Sequence, residues 1–219
     1  MDIGFMKEYV PLYVEAAKLT LRLGVTGIFF SLLIGMVCSM TEYYRIPILR
    51  QIASVYIELS RNTPLLVQLF FLYFGLPKIG IILSSESCAV LGLSFLGGSY
   101  MAEALRSGLE TVEKNQIDSA LAIGLNHPQV MRYVVFPQAL AISIPALCAN
   151  VIFLIKETSV FSVVALADLM YVAKDLIGLY YQTDEALLML VIAYLVLLLP
   201  ISLGAGWLER RLKFAGFGN

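Results

Sequence analysis

A chain of 219 residues that is 59% hydrophobic and only 14% charged carries more apolar side chains than a water-soluble domain of this size can bury. Lipid is the natural solvent for the excess, and a net charge of −1 gives no overall basic character that would suit nucleic acid. The three cysteines, Cys38, Cys88 and Cys148, are odd in number, and none has a partner at metal-ligand spacing, so they supply neither a disulfide framework nor a thiolate metal site.

Residues 1–18 carry acids together with Lys7, Lys18 and Pro11. They lack the basic start, short apolar stretch and small-residue cleavage site of a secretory signal, and read as an external segment leading into the first span. Crossing about 30 Å of hydrocarbon takes about 20 apolar residues in a helix. Leu19–Met40 meets that length, with Arg22 near its start. Ile52–Leu76 is the second candidate, charged only at Glu58 and Arg61. Val90–Leu109 is the third, with Glu103 and Arg106 toward its end, and a polar loop over residues 111–133 follows. Val134–Ile155 is the fourth span, and Ala186–Leu208 the fifth, stopped by Glu209-Arg210-Arg211. Between these two, Lys156–Glu185 holds an apolar patch, Val160–Leu169, too short to cross alone, which predicts a re-entrant or broken helix packed on protein. Backbone groups in lipid must pair within their own segment, and the period-two alternation of a membrane barrel is absent. The expectation is an all-α membrane protein of five transmembrane helices, with one transmembrane domain over 19–212 and a short tail over 213–219.

Orientation follows from Lys and Arg in short loops. Arg45, Arg50, Lys114, Arg132, Arg210, Arg211 and Lys213 fall on one side, against Lys7, Lys78, Lys156 and Lys174 on the other. The 111–133 loop and the C-terminus are therefore expected in the cytoplasm and the N-terminus outside.

Within the loop, Ile117, Ala120, Leu121 and Gly124 recur at helical spacing on one face. Gly124 suits a helix C-cap, Asn126 or His127 suits the N-cap of a following helix, and Pro128 is tolerated in its first turn. A rigid helix–turn–helix of this kind can fit a groove on another protein.

Ionisable residues inside spans are costly and usually face protein. Glu58 and Arg61 are three apart, as are Glu103 and Arg106, so each pair can bond on one helix face, as structural ion pairs or as parts of a gate. Lys156-Glu157 has apolar sequence on both sides, and Asn150 precedes Glu157 by two helical turns. Buried, this pair would offer a charge to each end of a free amino acid; at the outer helix end it would snorkel to water instead. Gln68 is either a polar contact in the same pathway or glue between helices.

The loop resembles the "EAA" loop of permeases in bacterial ATP-binding-cassette importers, with Asp118-Ser119-Ala120, Gly124, Val134 and Phe136-Pro137 at the family's spacing and with Asp, Ser, Val and Phe in place of Glu, Ala, Ile and Leu. Further blocks are similar to permeases for polar amino acids: Tyr56, Glu58 and Arg61-Asn62-Thr63-Pro64-Leu65-Leu66-Val67-Gln68, where Asn62 replaces a usual Gly; Ala102-Glu103, Arg106 and Gly108; and Lys156-Glu157-Thr158-Ser159. The resemblance runs from about Leu19 to Leu212. It implies the type I importer permease (MetI-like) fold in the bacterial inner membrane and a polar amino-acid substrate. Asp118, Ser119, Ala120, Gly124 and Pro137 would couple to an ATPase subunit, and Asn150, Lys156, Glu157, Thr158 and Gln68 would contribute to a substrate site. It also implies partners: ATPase subunits holding ATP and Mg, a periplasmic or lipid-anchored solute-binding protein, and a second permease, identical or different. No G-x4-G-K-[S/T] loop, nucleophile–base pair or metal cluster occurs, so the chain itself is not expected to be an enzyme or to hold a cofactor. An importer permease for another solute such as methionine and an ATP-independent secondary transporter are the alternatives.

Overall fold

Helix α1 starts far before the first apolar run. Asp2 accepts a hydrogen bond from the Phe5 N–H at 3.1 Å, capping a helix that continues from Ile3 to Tyr43. At 1.5 Å per residue, these 41 residues extend about 60 Å, twice the hydrocarbon thickness, so residues 3–18 are the helical continuation of the first span. The computed structural model describes residues 1–215, all of whose regular elements are helical; of the expected tail over 213–219, residues 216–219 lie outside the described residues.

The second expected span is not one helix. Helix α2 (Leu49–Arg61) ends before Asn62-Thr63-Pro64, and α3 (Leu65–Phe70) begins after it. Pro64 has no N–H to donate and drives the preceding residue out of helical conformation. Gln68 repairs the break: its side-chain amide donates to the Ser60 and Thr63 carbonyls at 3.3 and 2.9 Å. Beyond α3 the chain widens through a π turn (Phe71–Gly75) and tightens through a 3-10 turn (Leu76–Ile79), ended by Gly80 at φ +85°.

Helix α4 (Ser85–Thr111) is followed by two short helices, α5 (Lys114–Ala122) and α6 (His127–Val130). A π turn (Met131–Val135) leads into α7 (Phe136–Glu157). The predicted broken segment is a 3-10 turn (Thr158–Val164) followed by α8 (Leu169–Tyr180), and α9 (Thr183–Ala215) completes the chain. Among the described residues, four runs are long and apolar enough to cross a bilayer: α1, α4, the run from α6 through α7 to Val164, and α9; Leu65–Ile79 is a shorter apolar helical run at the position of the second expected span.

Helix α4 is the centre. Its Gly97 and the Gly27 and Gly35 of α1 let two backbones approach closely. A Cβ on Gly35 would stand 2.5 Å from the Met101 Cβ and 2.8 Å from the Ala102 nitrogen. Polar side chains from three neighbours donate to the α4 backbone: Ser31 of α1 to Leu93 O at 3.3 Å, Tyr56 and Ser60 of α2 to Phe95 O at 2.7 and 2.9 Å, and Ser143 and Asn150 of α7 to Ala104 O and Tyr100 O at 3.0 Å each. Each carbonyl has a second lone pair available for such a bond.

Three apolar clusters follow the chain's course. The central one joins α1, α3, α4, α7 and the 3-10 turn through Leu23, Leu65, Leu93, Leu154 and Phe161. An outer one joins the first half of α1 to α8 and the start of α9 through Tyr13, Leu169, Leu176 and Ala186. A third ties α5 and α6 to the end of α4 and the start of α7 through Leu109, Ala120, Val130 and Ala139. Gly35→Leu is expected to lower thermal stability in detergent by the amount typical of overpacking, about 1–3 kcal/mol or more, because the obstacle is backbone. Gly204→Ala, in the interior of α9 where a Cβ meets open space, is the control and should not lower the melting point.

Candidate functional site

The 111–133 loop folds as a self-supporting knob. Val112, Ala120 and Val130 are buried, and Ile117, Leu121 and Leu125 pack beside them. After α5 the chain reverses at Gly124, φ +95°, a conformation that L side chains rarely adopt. The Gly124 N–H donates to Leu121 O at 3.0 Å and the Leu125 N–H to Ala120 O at 3.2 Å, the paired bonds of a Schellman C-cap. Asn126 and Gln129 then form a reciprocal capping box, with bonds of 3.0 and 2.9 Å, around Pro128. Pro137, in the first turn of α7, has no N–H, and the turn before it is the wider π form. The Ile117–Ala120–Leu121 face packs against the chain's own α4 and α7, and the residues turned outward include Asp118, Ser119, Ala122, Ile123, Gly124 and His127. Ile123, at 80% exposure, is an apolar residue at the tip that sequence reasoning passed over.

Where α1, α2 and α4 converge lies a charged cavity of about 500 Å³, lined by Glu42, Glu58, Arg61, Tyr100, Glu103 and Arg106 among others. Arg106 is the organiser. It pairs with Glu103 one turn away, with Glu110 at 3.0 Å and with Glu42 of α1 at 3.3 Å. The expected pair Glu58–Arg61 does not form. Arg61 ends α2 and reaches across to Glu103 at 3.5 Å, with its guanidinium 5.4 Å from the centre of the Tyr100 ring. Glu58 instead accepts from the Asn62 side chain at 3.2 Å. Helix spacing permits both pairs, but only tertiary packing supplies a carboxylate on α4 for Arg61. Glu42 was missed because it stands at the end of a span, where a lone acid reads as the start of a loop.

Of the five residues expected near a substrate, three make hydrogen bonds within the fold. Asn150 is spent on α4 and Gln68 on the α2–α3 break. Thr158 is fully buried, and its hydroxyl donates to Ile155 O at 2.6 Å. Lys156 is exposed and Glu157 half-buried at the last turn of α7, and no ion pair joins them among the described residues. Adjacent residues on a helix point about 100° apart, so in the single chain Lys156 turns outward while Glu157 turns partly in.

With this geometry in place, comparison with known proteins is decisive. The family model for the inner membrane component of binding-protein-dependent transport systems matches residues 27–214. The chain belongs to this family. The permease is 32% identical over 206 residues to the glutamine transport system permease protein GlnP of Escherichia coli K12, covering 93% of this chain and 94% of that protein. It is 30% identical over 213 residues to the probable glutamine ABC transporter permease protein GlnM of Bacillus subtilis, covering 97% and 99%. Among solved structures, an amino acid ABC transporter crystallised with histidines superposes with a TM-score of 0.89 at 32% identity, over 96% of the permease and 99% of that chain. The methionine transporter MetNI, at 20% identity and a TM-score of 0.78, shares the fold over 97% and 99% of the two chains. The permease thus has the type I importer fold expected of it, and is a multi-pass membrane protein.

Removing Arg106 would leave Glu42 and Glu103 facing each other across a partly buried gap. Arg106→Ala is expected to cost about 1–3 kcal/mol of stability, more than Arg61→Ala, whose side chain is more exposed and makes one ion pair. Thermal unfolding of the two variants side by side checks the order.

Proposed function

We propose that the permease carries a polar amino acid across the bacterial inner membrane as the membrane-spanning subunit of an ATP-binding-cassette importer. The observation that supports this most is near-full-length similarity, at 30–32% identity, to permeases named for glutamine, together with the close superposition on an amino-acid transporter. The 20% identity to the methionine transporter bears on fold alone.

In this reading a solute-binding protein delivers substrate from outside, where the N-terminus lies, and ATP with Mg is bound by a separate ATPase subunit on the side of the 111–133 loop and the C-terminus. A second permease, identical or homologous, completes the pathway. The loop meets the ATPase with its tip: Asp118, Ser119, Ala122, Ile123 and Gly124 form the contact, while Ala120 and Pro137 hold the knob's shape. A rigid knob suits this task, because closure of the ATPase subunits moves α4 and α7 only if the loop does not yield. Binding by ATP must differ between inward and outward states for any such motion to occur.

For the substrate, Glu157 is the residue with most to offer. Its half-buried carboxylate has no protein partner among the described side-chain bonds and can take an ammonium group. Lys156, one residue away, can meet a carboxylate. Asn150, Thr158 and Gln68 act behind them by holding α4, the 3-10 turn and the α2–α3 break in place.

Gly124→Asp is the test of coupling. It forces an L side chain into a left-handed turn and adds charge at the docking tip. Uptake of radiolabelled amino acid into vesicles should fall at least about tenfold while the protein stays folded in the membrane. Wild-type uptake would remove the loop from the mechanism. For the substrate site, Glu157→Gln should raise the concentration needed for half-maximal uptake by about tenfold, since a charge-assisted bond to an ammonium is lost.

A further inference from the structure

Helix α1 hands the chain to α2 through a short elbow, residues 44–48, at the end of the molecule that carries the 111–133 loop. Two elbow residues hold backbone angles that L side chains rarely adopt. Arg45, at φ +52°, takes the place usually given to glycine in a Schellman cap: its N–H donates to Glu42 O at 3.1 Å and the Ile46 N–H to Thr41 O at 3.2 Å. Ile48, at φ +67° and ψ −57°, is the centre of a γ-turn of the strained hand, closed by the Leu49 N–H on Pro47 O at 2.7 Å.

These angles turn the elbow's side chains outward. Ile48 is 70% exposed, Ile46 precedes it on the surface, and Leu49, Ile52, Val55 and Leu59 continue an exposed apolar stripe along α2 at helical spacing. The opposite face of α2, through Ala53, Ile57 and Ser60, is buried, so this helix is apolar on two sides. Ser60 meets Phe95 O near the middle of α4, whereas the elbow lies near the Thr111 end. The stripe therefore climbs from the edge of the bilayer toward its midplane, which puts acyl chains along it.

Two cations stand where the stripe begins. Arg45 and Arg50 are exposed, line a cavity of about 210 Å³ with Glu42, Tyr43, Arg106 and Glu110, and make no ion pair among the described residues. Both carboxylates of the cavity are taken by Arg106, at 3.3 and 3.0 Å. The half-exposed Tyr44 ring stacks edge-on against Tyr43 beside them, with centroids 5.4 Å apart. Aliphatic tips, a tyrosine pair and unpaired guanidiniums at the end of a span form the composition of a membrane–water interface: the tips reach acyl chains, the rings sit at headgroup level and arginine meets phosphate.

We propose that the elbow is a binding site for an anionic phospholipid, with Arg45 and Arg50 on its headgroup and Ile48, Leu49 and Ile52 along an acyl chain. A zwitterionic lipid brings its own ammonium to the guanidiniums and binds less well, and free phosphate leaves the stripe uncovered. The bound lipid braces the turn between α1 and α2, beside the Arg106 network that joins α1 to α4.

The test is thermal unfolding of the permease in a mild detergent, titrated with phosphatidylglycerol, phosphatidylcholine or inorganic phosphate. Phosphatidylglycerol should raise the melting point at lower concentration than phosphatidylcholine, and phosphate should leave it unchanged. Arg45→Gln with Arg50→Gln should raise the half-saturating phosphatidylglycerol concentration about thirtyfold, about fivefold for each cation lost near an anionic headgroup. Arg45→Lys with Arg50→Lys keeps both charges and should keep most of the affinity, which separates loss of charge from loss of fold. Ile48→Asn with Ile52→Asn should also weaken phosphatidylglycerol, because the acyl contact is lost. Equal responses to the two lipids would overturn the proposal, as would glutamine variants that bind phosphatidylglycerol like the wild type. A full response to inorganic phosphate would sink it too, since the ligand would then be a free anion. So would elbow variants that keep the lipid response but no longer co-purify with a second permease or an ATPase subunit, since the stripe would then be a protein interface.

Discussion

Close approach to α4 is the constraint on which the rest of the permease depends. Lipid offers no hydrophobic reward for pressing two apolar helices together, so association rests on shape and on hydrogen bonds. Gly27, Gly35 and Gly97 provide the shape, bringing α1 and α4 to a distance that excludes a single extra carbon. Ser31, Tyr56, Ser60, Ser143 and Asn150 provide the bonds, and every one of them lands on a carbonyl of α4. A helix held in this way from three sides moves as a unit with its neighbours. That suits an element which runs from the outer cluster's neighbourhood to the edge of the 111–133 loop.

The charged cavity and the loop lie at the same end of α4. Arg106 gathers carboxylates from α1 and α4, and Arg61 adds α2 to the same network. A few residues on, Leu109 and Val112 begin the cluster that anchors α5. Packed side chains thus join the knob to α4 and α7, and an ion-pair network joins the same end of α4 to α1 and α2. At the other end, α8 packs on the first half of α1 and the start of α9 through the outer cluster.

Legibility in sequence varied with the range of the interaction. The apolar runs of α1, α4, α7 and α9 were readable because a membrane demands about 20 apolar residues locally. Gly124, Asn126 and Pro128 were readable as caps because their geometry involves only neighbours along the chain. Gln68 and Asn150 looked like polar residues awaiting a ligand; in fact each satisfies backbone carbonyls, one at a break in its own span and one on a helix 50 residues away. The break itself was signalled by Pro64 but masked by the apolar residues on both sides.

Sequence by itself determined the solvent of this protein, its helical class, four of the spans and the rigid turn of the 111–133 loop, since each follows from hydropathy, helical period or local capping. Only the tertiary structure decided that Arg61 pairs with Glu103 in place of Glu58, that the amphipathic face of α5 turns inward and leaves Ile123 outside, and that Asn150 bonds the Tyr100 carbonyl of α4. These outcomes join residues far apart in sequence. Helical spacing says which partners a residue can reach on its own helix, and packing against other helices says which one it takes.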